Sequence, residues 1–197
     1  MLTLFHAARS RSFRMLWLLE ELGAPYELKI VNIRRADGSG AVDPANPHPH
    51  AKVPTLSDDG TVVFETPAIA LYLTDKYPNA GLGPRVGDPD RGAYLSWLAY
   101  YTGEIEPSLT AKFLKIQHIY GMFGWAPFDD VITYLTRSLE RPYLLGERFS
   151  AADIVIGGSL PLLMSRGIVP ESDLLKSYTQ RILGRPAYGR AQAKDAA

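Results

Sequence analysis

The run Lys52-Val53-Pro54-Thr55-Leu56, followed nine residues later by Glu65-Thr66-Pro67-Ala68-Ile69, constrains the fold more than any other part of the chain. Proline lacks the N–H that a strand ladder needs, so Pro54 belongs at the first position of a short strand. Asp58-Asp59-Gly60 then reads as a tight turn between two β-rich runs, 54–57 and 61–64. Glu65-Thr66 before Pro67 reads as a helix entrance, where free backbone N–H groups and a positive helix end lie beside a carboxylate and a hydroxyl. A cis Val53-Pro54 bond is expected. It would turn the Val53 N–H and C=O outward to pair with an extended peptide-like ligand. Such a corner suits an α-amino-acid group: Glu65 takes the ammonium, and the Thr66 hydroxyl and N–H take the carboxylate.

The flanking segments complete a small α/β unit. Leu2 to His6 reads as a first strand and Ala7 to Arg11 as a polar connection. Ser12 is placed to cap a helix whose apolar residues Phe13, Leu16, Trp17 and Leu19 recur at helical spacing, and Gly23-Ala24-Pro25 ends it. Tyr26 to Ile33 reads as a second strand, parallel to the first through the helical crossover. Residues 34–50, dense in Asp, Gly, Pro and Asn, read as a loop, and a helix from Thr66 runs to Tyr77-Pro78. The resulting order is βαβ, a connection, then ββα, over residues 1–78.

Residues 79–89 carry Gly81, Gly83, Pro84, Gly87 and Pro89, a linker composition. From 90 to 197 the chain reads as all-helical. One long segment spans Asp90 to Tyr120, with a kink expected near Gly103 or Pro107, and others span Pro127 to Glu140, open at Ser150, and open near Ser172. Ser150 and Asp153 form a capping box: the serine caps the first turn, and the aspartate reaches back to the serine N–H. The fold class is therefore α/β plus all-α.

Composition removes several function classes. Twenty-one basic and twenty-one acidic residues balance to zero charge, which argues against a broad nucleic-acid or anionic-membrane surface. The absence of cysteine excludes disulfides, thiolate metal sites and cysteine nucleophiles. His48 and His50 lack a third ligand at fitted spacing, so no metal site is expected. No stretch has the length of a membrane span, and the first residues lack signal-peptide sections, so a cytoplasmic location is expected.

The order and spacing of the Val53-Pro54 and Glu65-Thr66 motifs resemble the glutathione-binding half of the cytosolic glutathione transferases, a thioredoxin-like domain. Leu144-Leu145-Gly146, the Ser150/Asp153 box and Arg185-Pro186-Ala187-Tyr188 look like the helical half of that family, so the resemblance covers nearly the whole chain. It implies transfer of glutathione thiolate to small hydrophobic electrophiles, with glutathione as cosubstrate and no tightly bound cofactor. Other outcomes on the same fold are a glutathione-dependent peroxidase, isomerase or dehalogenase, or a non-catalytic binding or stress-response protein. Family members stabilise the thiolate from a Tyr, Ser or Cys after the first strand. Here Ser10, four residues before Arg14, is assigned that role and Ser12 the cap, and a two-residue shift would exchange them. The resemblance places Val53 against the ligand backbone, Glu65 and Thr66 at its γ-glutamyl end, and Lys52 or His50 at its glycyl carboxylate. The family run before Val-Pro has glycine where this chain has Ala51. Phe5, Ala8, Tyr101 and Glu104 are the expected electrophile contacts. A two-fold homodimer is also implied, through the helix starting at Thr66 and the segment from Asp90 to Tyr101.

Overall fold

The computed structural model describes residues 1–195. They divide into two compact units: the first contains Met1–Leu82 and the last helix of the chain, and the second is Gly83–Ile182.

In the first unit, β1 (Leu2–His6), α1 (Phe13–Leu22), β2 (Tyr26–Ile30), β3 (Thr55–Asp58), β4 (Thr61–Phe64) and α2 (Thr66–Lys76) follow in the expected order. The sheet order is β2-β1-β3-β4. β2 is parallel to β1, while β3 is antiparallel to both β1 and β4. This is the thioredoxin-like arrangement. β2 stops at Ile30, short of the expected Ile33, because its partner runs out: His6 is opposite Ile30, and only the Val31 N–H still reaches the His6 carbonyl, at 2.9 Å. Asp59 and Gly60 both take positive φ, 47° and 92°, which lets a two-residue turn match the twist of the hairpin. Gly23 ends α1 in the left-handed conformation at φ 61°.

One element is added that local sequence did not assign to this unit. Helix α9 (Pro186–Asp195) lies along α1, although residues 90–197 read from sequence as one helical domain. Arg185 makes a forked pair with Glu21 at 2.6 and 2.8 Å. Arg190 and Lys194 meet Glu20 at 3.0 and 2.5 Å. The Tyr188 ring meets Phe13 and Trp17 edge-on at 5.5 and 5.0 Å, and the small residues Ala187 and Ala191 are buried. Burying an aromatic ring and two paired carboxylates against one helix face explains why the chain returns here.

The second unit is helical: α3 (Arg91–Tyr100), α4 (Glu106–Leu114), α5 (Phe128–Ser138), α6 (Ala151–Gly157), α7 (Leu160–Ser165) and α8 (Asp173–Leu183), whose last residue already belongs with the first unit. The expected kink is a five-residue π turn, Tyr101–Ile105, joining α3 to α4 just before Pro107, whose missing N–H and bulky ring disturb the regular ladder. Helix does not extend to Tyr120: Lys115 adopts φ 55° and closes α4. α6 is buried throughout and opens with the predicted capping box. A Cβ on Gly157 would lie 2.4 Å from Ile182 Cδ1, so glycine permits α6 and α8 to approach.

Candidate functional site

Strand register gathers the predicted ligand residues at one end of the sheet. Phe5 is opposite Thr55, and Thr55 is opposite Phe64. The next residues outward from that row are His6 on β1, the Val53-Pro54 step before β3, and Glu65 after β4. The Val53-Pro54 bond is cis, as expected. Val53 packs its side chain into a small core with Phe5, Ala7 and Val31. Its neighbours in sequence are tied down by Asn46, whose amide donates to the Lys52 carbonyl at 2.9 Å while its oxygen accepts from the His48 N–H at 3.1 Å and the Thr55 hydroxyl at 3.3 Å. Ala51 takes φ 50°, the left-handed conformation that glycine adopts most easily. The missing glycine therefore does not prevent a left-handed turn at this position.

Glu65 is exposed and stands at the N-terminus of α2 with φ 70°, a backbone conformation unusual for a non-glycine residue. Its carbonyl accepts the Ile69 N–H at 3.0 Å, and Thr66 behind it is buried. His48 is the hub of this corner. Burial lowers its pKa, while Glu65 acts to raise it and His50 and Lys52 to lower it further, so all three charged or polar candidates bear on one imidazole. The His48 ring also touches Phe64 edge-on at 5.3 Å, and its Nδ1 accepts the His50 N–H at 3.0 Å. His48 is thus a buried structural group between the exposed residues His50, Lys52 and Glu65.

The connection after β1 differs from expectation at Ser12. Ser12 is fully buried and stands at the N-cap position before α1, but its side chain makes no cap bond to the helix. Its φ and ψ are already helical, which directs the hydroxyl back into the loop. There Ser12 Oγ lies 2.8 Å from His6 Nδ1, 2.7 Å from Ser10 Oγ and 3.3 Å from both the N–H and the carbonyl of Ala7. Ser10 is half-buried, and its Oγ accepts the Ser12 N–H at 3.2 Å. His6 is fully buried, and its Nε2 lies 3.1 Å from Asp195 Oδ1 at the end of α9. The carboxylate oxygen sits off the N–H direction, and the contact becomes an ion pair only when the imidazole is protonated. Asp195 also accepts the Arg9 N–H at 3.3 and 3.4 Å, with Arg9 itself at φ 56°. Ser10, Ser12, His6 and Asp195 form one continuous polar string.

Of the remaining expected residues, Phe5 is buried under the Lys29 ammonium, 5.4 Å above its ring, and the Ala8 carbonyl accepts the Arg35 guanidinium at 3.1 Å. In the second unit Tyr101 is buried with its hydroxyl on Glu106, and Glu104 accepts the Ala126 N–H at 2.7 Å. Ser150 and Asp153 hold their structural place: the Asp153 carboxylate accepts the N–H groups of Leu144 and Ser150 at 2.9 and 2.8 Å and the Tyr178 hydroxyl at 3.1 Å. Sequence reasoning missed His6, Asn46, His48 and Asp195. A histidine closing an otherwise apolar strand was a usable signal for His6, since a buried imidazole needs partners. Nothing local points to Asp195.

Residues 1–75 match the family described as "Glutathione S-transferase, N-terminal domain". Glutathione S-transferase 3 of Schizosaccharomyces pombe is 27% identical over 158 residues, covering 79% of this chain and 62% of that protein. Glutathione S-transferase D7 of Drosophila melanogaster is 31% identical over 160 residues, covering 76% and 68%. The chain thus spans about 60% of the length of the first two curated relatives that it matches, 62% and 59%. The solved structure of a sphingomonad glutathione S-transferase complexed with glutathione superposes with a TM-score of 0.78 at 28% identity, covering 98% of each chain. By fold, by the motifs at the sheet end and by these likenesses, the chain belongs to the glutathione S-transferase family.

Proposed function

We propose that the protein transfers glutathione thiolate to small hydrophobic electrophiles, with a serine-type site. The observation that carries this reading is the row Phe5, Thr55, Phe64, which brings the loop bearing Ser10, the cis Val53-Pro54 step and Glu65 to one end of one sheet. On this reading Glu65 and Thr66 hold the γ-glutamyl end, Val53 pairs with the extended peptide, and His50 and Lys52 attract the glycyl carboxylate. The Ser10 hydroxyl then donates to the sulfur and favours its anionic form. Electrophile contacts are assigned in the same proposal to Phe5, Ala8, Tyr101 and Glu104, on the family resemblance. The assembly proposed is a homodimer, on the same resemblance.

Retention on immobilised glutathione, followed by a conjugation assay with a generic aryl halide, tests the reading. Glu65→Ala removes a charge-assisted contact and is expected to weaken glutathione binding by about 1.5–3 kcal/mol. Unchanged affinity in the folded variant would refute the placement of the γ-glutamyl end. Retention without conjugation would make the protein a binder rather than a transferase.

A further inference from the structure

The string Ser10, Ser12, His6, Asp195 runs from the proposed sulfur position into the buried interior, and glutathione binding alone does not require it. We propose that His6, paired with Asp195, takes up the proton of the bound glutathione thiol through Ser12 and Ser10, an inference that rests on the glutathione reading above.

Proton counting supports a relay. Each serine has one hydroxyl proton, and the successive contacts are short: Ser10 to Ser12 2.7 Å, Ser12 to His6 Nδ1 2.8 Å, His6 Nε2 to Asp195 3.1 Å. Asp195 can accept but not donate while ionised, so it favours the tautomer with the proton on Nε2. Nδ1 is then an acceptor for the Ser12 hydroxyl, and Ser12 Oγ an acceptor for the Ser10 hydroxyl. In that state the outward-facing group on Ser10 is a lone pair, which suits a neutral S–H but not a thiolate.

Moving one proton along each link reverses the string. The S–H bond breaks and its proton joins Ser10 Oγ, the Ser10 proton passes to Ser12 Oγ, and the Ser12 proton passes to His6 Nδ1. The products are a thiolate facing a Ser10 O–H donor and an imidazolium facing Asp195, with no proton unaccounted for. When product leaves, the proton on His6 returns to water by the same path. Burial holds the His6 pKa below its ordinary value, so the ring starts neutral; the same burial makes it a weaker base, and Asp195 opposes that effect by stabilising the charged product. Around the string, Asp195 faces Nε2, Ser12 faces Nδ1, the Arg9 N–H shares the Asp195 carboxylate, and the Tyr188 phenol on α9 is pushed up by burial and by the Asp195 charge. His6 and Asp195 are positioning residues, since they act on sulfur only through the serines.

Asp195→Asn keeps the side-chain shape at the end of α9, and Ser12→Ala cuts the string while leaving Ser10. Both are tested with their double variant, using S-methylglutathione, which has no thiol proton, to measure binding. Thiolate absorbance titrated against pH measures the bound thiol. The expected result is unchanged S-methylglutathione affinity in every variant. The bound thiol's apparent pKa should rise by about one unit in Asp195→Asn, so that up to about tenfold less thiolate forms at a pH below both values, with conjugation slowed in proportion. The double variant should be no worse than Ser12→Ala alone, because the two residues act in series. A bound-thiol pKa unmoved by Asp195→Asn, or strictly additive losses, overturns the relay while leaving the glutathione reading intact. Failure of the unaltered protein to bind S-methylglutathione overturns both.

Discussion

Replacing Asp153 with alanine should cost the helical unit far more than an ordinary helix cap. A lost N-cap is worth about 0.5–2 kcal/mol, the cost expected of Ser150→Ala. Asp153, however, serves three further donors: with the carboxylate gone, the N–H groups of Leu144 and Ser150 and the hydroxyl of Tyr178 are left buried without their acceptor. At roughly 1–3 kcal/mol for each orphaned group, the variant should lose about 3 kcal/mol at the least. Urea unfolding measures this, and tryptophan fluorescence is a suitable probe because the Trp97 indole donates to the Leu144 carbonyl at 3.1 Å, beside the bond that is removed. The same carboxyl carries a pH signature. Burial pushes its pKa up to about 6, against the downward pull of its hydrogen bonds. Its folded pKa thus exceeds its unfolded one, so its contribution is fully present below about pH 4 and is lost as pH rises through 6. Two units correspond to about 3 kcal/mol, which Asp153→Asn, having nothing to titrate, should remove from the stability difference between pH 4 and pH 7. A loss under about 1 kcal/mol in Asp153→Ala, or parallel pH curves for Asp153→Asn and the unaltered protein, would refute the reasoning.

Ala51→Gly should stabilise the first unit by about 0.5–1 kcal/mol, since relief of the left-handed cost exceeds the extra chain entropy of glycine; thermal unfolding of the variant checks it. Glu20 gives the opposite pH signature to Asp153: burial opposes ionisation, but hydrogen bonds from Lys194, Tyr26 and Arg190 outweigh it and hold the carboxyl below its usual range. Its contribution is therefore present above the unfolded carboxylate pKa and lost as pH falls through the folded one. Glu20→Gln should increase hydrogen exchange across residues 186–195 at neutral pH, with the difference from the unaltered protein vanishing in acid.

Much of the architecture was legible because its causes are local. Pro54, the Asp59-Gly60 turn, Gly23 and the Ser150/Asp153 box each fix a backbone conformation within a few residues, and the structure has a strand start, a hairpin, a helix end and a capped helix there. The errors arose where distant partners decide. β2 ends where β1 ends, which no property of Asn32 or Ile33 reveals. Ser12 carries a good cap residue's side chain, yet a buried histidine six positions earlier competes for its hydroxyl, and Ser12 turns toward it. α9 was hidden for a related reason: Pro186-Ala187-Tyr188 reads as helix in any context, and only Glu20, Glu21 and Trp17 on α1 determine what it covers. Within the candidate site, motif spacing assigns the proposed contacts Glu65 and Lys52, both exposed, whereas no local signal marks the buried supports Asn46 and His48.

The return of α9 to the first unit also orders events in time. The helical unit is one unbroken stretch, Gly83–Ile182, and can close on itself while later residues are still being added. The sheet unit is split: the contact between the Arg9 N–H and Asp195 spans 186 positions, so the loop bearing Ser10 gains this support only after the whole helical unit has been made. A chain cut before α9 would keep the strands and the Glu65 corner but leave His6 without Asp195. Support for the buried imidazole is thus made separately from the Glu65 corner, with the whole helical unit between them in sequence.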